Sequence, residues 1–112
     1  ACVPNVIKVG SVQNDASGTT LTSSSNIGAP SSFSGPTLLA PGSLIKSASA
    51  YGATSTYSGG GTSQAAPHVA GLYAAYKAAV PGTSVADATA WVVGAGVPVT
   101  VGNHTYRRVR YQ

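Results

Sequence analysis

The segment from Gln64 to Val80, QAAPHVAGLYAAYKAAV, is built almost wholly from Ala, Val, Leu, Tyr and Gly. A surface helix shows a polar stripe every three to four residues, and this segment has none. It therefore predicts a helix buried on most sides, in the middle of a layered domain. Lys77 in the last turns and Pro81 and Gly82 beyond them supply the stop signals. Gly71 inside the helix costs about 1 kcal/mol relative to Ala, which close packing would offset.

Composition sharpens that picture. The 112 residues suffice for one domain, yet only 7% are charged, against roughly 25% in an average soluble protein. With 43% hydrophobic residues, the chain predicts a piece of a larger domain whose apolar faces are covered by residues outside it. The alternative is a low-charge domain with a surface of Ser, Thr and Asn. The net charge of +4 is local, since Arg107, Arg108 and Arg110 sit together in YRRVRY. Such a cluster reads as a solvated strand end and gives no basic stripe, so no nucleic-acid partner is expected. No run of eighteen apolar residues occurs, so no membrane partner is expected either. Cys2 is the only cysteine, either paired to a thiol elsewhere or buried and free.

Along the chain, VPNVIKVGSV from Val3 to Val12 reads as a largely buried strand. A Ser-, Thr-, Gly- and Pro-rich loop follows, then short strands at TLLA and SLIKSA divided by a Pro41–Gly42 turn. After the apolar helix, SVADATAWVV predicts a second helix with Ser84 and Asp87 at capping spacing and Gly94 or Gly96 at its end. The tail predicts a hairpin about Gly102 and Asn103, where Asn103-His104-Thr105 also spells a glycosylation acceptor if a eukaryote secretes the chain. The fold class is α/β with a mostly parallel sheet.

Chemistry concentrates in GGGTSQAAPHVAG. Pro67 has no N–H to bond the Ser63 carbonyl four residues back, which places Ser63 at a loop-to-helix junction. Unpaired N–H groups and the positive end of the helix dipole favour developing negative charge there. A serine hydroxyl beside such donors suits acyl transfer, with a nucleophile and a cradle for the oxyanion its attack creates. Gly59, Gly60 and Gly61 would let a substrate backbone approach, with Thr62 beside it. The competing role for Ser63 is a simple helix cap. A phosphate-binding loop is excluded because no lysine precedes the Thr-Ser, and a nucleophile elbow because G-T-S-Q-A is not G-x-S-x-G.

The whole string GTSQAAPHVAG resembles the active-serine segment of the subtilisin-like serine proteases (subtilases, peptidase S8). CVPNVIKVGSV is similar to the family's buried strand after its oxyanion asparagine, LLAPGSLIKSA to its Ala-Pro-Gly turn, and PGTSVADATAWVVGAGVPV to the helix that follows. Gln64 stands where many members carry Met. By this resemblance residues 1–112 are the C-terminal portion of a subtilisin-like peptidase domain, a partial domain with a buried central helix starting at the nucleophile.

The resemblance implies a secreted or extracytoplasmic serine endopeptidase acting on polypeptide substrates. Ser63 is the nucleophile and an oxyanion N–H donor, and Gly59, Gly60, Gly61 and Thr62 bind substrate or oxyanion. The family's Asp and His precede its Ser, so the N-terminal part of the same domain is the expected partner. His68 lies five residues beyond Ser63, about 140° around a helix and roughly 7.5 Å along it, and reads as a packed structural histidine. Neither His104 nor Asp15 has a motif around it. No cofactor is expected beyond calcium, which the resemblance allows without identifying ligands, and no metal site is assigned. The alternative function is a non-catalytic protease-like fragment acting in binding or assembly.

Overall fold

The computed structural model describes residues 5–27 and 36–110, so Cys2, the start of the expected first strand and part of the Ser-rich loop lie outside the described residues. The elements run β1 (Lys8–Val12), β2 (Thr37–Pro41), β3 (Ile45–Ala48), β4 (Thr56–Gly59), α1 (Thr62–Ala79), α2 (Val85–Ala95), β5 (Val97–Val101) and β6 (His104–Arg108). Regular pairing starts at Lys8, later than the sequence suggests, and Asn5 before it stands at φ 62°.

The main sheet has the order β1-β2-β6-β5. The β1/β2 and β2/β6 pairs are parallel, whereas β5/β6 is antiparallel. A separate antiparallel pair, β3/β4, carries Ile45 opposite Gly59 and Lys46 opposite Ser58. The sheet is thus mixed where a mostly parallel one was expected. Its antiparallel part comes from the β5–β6 hairpin, whose turn places Gly102 at φ 61°.

Alternation along β2 divides the core in two. Leu38 and Ala40 face the helices with Ala65, Val69, Leu72, Val92 and Val109. Leu39 faces the other way, with Val12, Val99 and Tyr106. This is the period-2 geometry of a strand buried on both faces, and each leucine so buried contributes roughly 1.5–3 kcal/mol. The two helices are joined by a stack of Tyr76 on Trp91, with ring centroids 4.7 Å apart, and by a 2.7 Å hydrogen bond from the Tyr73 hydroxyl to Thr89 Oγ1. Ser84 caps α2 by accepting from the Asp87 N–H at 3.0 Å, and Gly96 closes its other end.

Two expectations change. Helix α1 buries only Ala65, Val69 and Leu72, so the all-round burial predicted for a central helix is absent among the described residues. Its contacts are with β1, β2 and α2 on one side, while Ala66, Ala70 and Ala74 stand exposed. Arg107 and Arg108 are not a free strand end either. Arg107 Nη1 donates to the Gly96 carbonyl at 3.1 Å, and the Arg108 guanidinium occupies the space a Cβ would take on Gly18, which stands at φ 57°.

That loop contains Asp15, whose carboxylate accepts from the Ser17 hydroxyl, the Gly18 N–H and the Ser17 N–H. The Ser17 hydroxyl first, then the Gly18 N–H, with Arg108 a lesser cause, hold the carboxyl below its ordinary 3.8. A depressed folded value adds stability that is present above the unfolded value and is lost as pH falls through the folded one. Asp15→Asn should therefore lower the denaturation midpoint at pH 6, and the difference from wild type should vanish well below pH 3.8. Denaturant titrations of both proteins at the two pH values check this.

Candidate active site

The path from β4 into α1 is set by glycine. Gly61 is the N-cap of α1, with φ 133° and ψ 179°, a conformation essentially confined to glycine. Its N–H donates to the Gly42 carbonyl, and the Gly42 N–H donates in turn to the Val12 carbonyl at 3.1 Å. The start of the helix is thereby pinned through Gly42 to the end of β1. A Cβ on Gly42 would overlap Ser11 Oγ and the Gly61 carbonyl oxygen, so no other residue fits there without displacing the helix start. Sequence reasoning read Gly42 as a turn residue only.

Ser63 is the second residue of α1 and is exposed. It is not the cap: Gly61 holds that position, and no side chain caps the helix. The first helical N–H groups to find acceptors are those of Gln64 and Ala65, both bonded to the Gly61 carbonyl. The N–H groups of Thr62 and Ser63 have no acceptor among the described residues, and the Ser63 hydroxyl makes no hydrogen bond there. A free hydroxyl thus stands beside two free N–H donors at the positive end of an 18-residue helix. Gln64 folds its amide back over Gly59 and Gly61, where a Cβ would meet it at 3.1 and 3.5 Å.

Two clefts meet at Ser63. One, of about 420 Å³, runs between α1 and β1 and is lined by Val9, Gly10, Asn26, Thr37, Thr62 and Ser63 among others. Thr37 Oγ1 is buried there without a hydrogen-bond partner among the described residues. The other, of about 350 Å³, lies between α1 and β3 and is lined by Lys46, Ser47, Ser63, Gln64, Pro67 and His68, together with Ile45. Thr37, Lys46 and Ser47 had no sequence signal, because only the fold brings them to the serine.

His68 departs from expectation. It is exposed rather than packed, and its Nδ1 donates to the Gln64 carbonyl at 2.8 Å. His104 stands edge-on to Tyr106 in the far hairpin, and neither histidine bonds a carboxylate among the described residues. Among the described residues no Asp–His pair stands beside Gly59, Gly60, Gly61, Thr62 and Ser63, which run consecutively into α1. No cluster of three or more His, Cys, Asp or Glu forms among the described residues. No described helix is long and apolar enough to cross a membrane.

Comparison with known proteins agrees with this geometry on one point. No curated protein matches the chain. The family model described as Subtilase family, Peptidase_S8, matches residues 1–107, nearly the entire chain. A free serine at the mouth of a glycine-led helix, in a chain matched over that length, makes this protein a member of the subtilase family of peptidases.

Proposed function

We propose that this chain supplies the nucleophile of a secreted serine endopeptidase, and that Ser63 is that nucleophile. The observation that carries the reading is the unbonded Ser63 hydroxyl beside the unpaired Thr62 and Ser63 N–H groups. Ser63 Oγ attacks the scissile carbonyl, and the proton passes to a histidine oriented by an aspartate. The carbonyl oxygen, now an oxyanion, is held by the Ser63 N–H at the helix start. In this reading Gly59 to Gly61 lead the substrate backbone to Ser63, although a Cβ at these positions would meet Gln64 or the Gly42–Leu44 backbone first.

The Asp and His belong, in this reading, to a preceding part of the same domain, which is the partner this chain requires. The exposed alanine face of α1 supports that: Ala66, Ala70 and Ala74 offer small residues for close helix packing. The cleft between α1 and β1 is the second surface available to it.

The test is covalent. A fluorophosphonate probe applied to the full-length protein should attach to Ser63, located by peptide mass spectrometry. The isolated 112-residue chain should label at least about a hundredfold more slowly, because no positioned base takes the proton. Equal labelling of chain and full-length protein would overturn the shared-site reading. Absence of labelling in both would favour a non-catalytic, binding role.

A further inference from the structure

We propose that the cleft between β3 and α1 is a subsite for an acidic side chain of the substrate, with Lys46 determining that specificity. The inference rests on the peptidase reading of Ser63 and extends it to substrate class. Ser63 lines this cleft together with Lys46 and His68, so a residue seated there belongs to a chain whose scissile bond lies at the serine.

Among the described residues, Lys46 is the one Lys, Arg, Asp or Glu lining the cleft. Lys46 is exposed, and its ammonium has neither an ion pair nor a hydrogen bond among the described residues. The sequence holds only two carboxylates, Asp15 and Asp87, and neither lines the cleft. Asp15 is engaged by Ser17 and Gly18, and Asp87 lies in the first turn of α2. The His68 Nδ1 proton is committed to the Gln64 carbonyl, which leaves Nε2 as the ring's remaining polar atom. An uncompensated cation with hydrogen-bonding neighbours recognises a carboxylate and disfavours a second cation.

Rigidity follows from the register. Lys46 pairs with Ser58 in the β3–β4 hairpin, and that hairpin leads through Gly59–Gly61 directly into the helix that carries Ser63. Because Lys46 is solvent-exposed, the preference is modest and falls with salt, about 3- to 10-fold in kcat/KM at low ionic strength.

Full-length protein should be assayed on fluorogenic peptides that differ only in carrying Asp, Asn or Lys at successive positions on either side of the scissile bond. At one position the order of kcat/KM should be Asp above Asn above Lys, with about 3- to 10-fold between the extremes. Lys46→Glu should invert that order and Lys46→Arg should keep it. An unchanged order in Lys46→Glu at every position would overturn the proposal. If wild type cleaves no peptide, the peptidase reading fails separately, and anisotropy of a labelled Asp-containing peptide on the Ser63→Ala protein still decides the subsite. Binding weakened by Lys46→Glu would support it, and equal binding would overturn it.

Discussion

Ser63→Ala in the full-length protein is expected to lower kcat/KM by at least about a thousandfold, roughly 4 kcal/mol of transition-state stabilisation, with the thermal midpoint moving less than about 3 °C. Both halves of that expectation follow from position. Alanine has the highest helix propensity, and at the second residue of α1 it replaces a side chain that is exposed and unbonded. No cap is lost, because Gly61 occupies the cap without a side chain. Surface changes of this kind stay within about 0.5 kcal/mol of wild-type stability. A structural serine behaves in the opposite way, its removal costing folding while activity falls only with the folded fraction. Paired measurements of kcat/KM and the unfolding midpoint separate the two.

What the sequence discloses of this site depends on how local the determining contacts are. Pro81 and Gly82 end α1 by rules acting over a few residues, Pro67 sits inside its first turns rather than at its boundary, and the Ser84–Asp87 cap acts over three, so both helices were legible. The β3–β4 hairpin was only half legible. TYSG has no apolar alternation because the hairpin buries almost nothing on either face, and pairing shows only against Ile45–Ala48. Gly42 was seen as a turn, but its reason for being glycine is Gly61, nineteen positions on, together with Ser11. The arginines of β6 looked solvated because their neighbours, Gly18 and Gly96, come from other parts of the chain. The apolar content of α1 announced burial but not on which side its cover lies. The motif singles out Ser63 in the sequence, whereas Lys46 and Thr37 come to line the clefts beside it only through the fold.

Gly61→Val should cost far more activity than stability. Space is not the obstacle at Gly61, since an added Cβ would meet only the Gln64 amide, at an ordinary 3.5 Å. The obstacle is the backbone: at φ 133° and ψ 179° a β-branched residue is strained by about 1–3 kcal/mol, and the chain escapes by rotating away. That rotation breaks the Gly61 N–H bond to Gly42 and swings the Thr62 and Ser63 N–H groups off their present line. Donors displaced by even 1 Å stabilise an oxyanion poorly, so kcat/KM should fall at least about a hundredfold. Gly61→Ala should fall between Val and wild type in both measurements, because it shares the φ conflict without the branched χ1. Gly42→Ala provides the contrast, since its Cβ would meet Ser11 and Gly61 directly and should lower stability and activity together. If Gly61→Val loses activity only in proportion to its unfolded fraction, the glycine is turn chemistry alone and the alignment of donors at Ser63 does not depend on it.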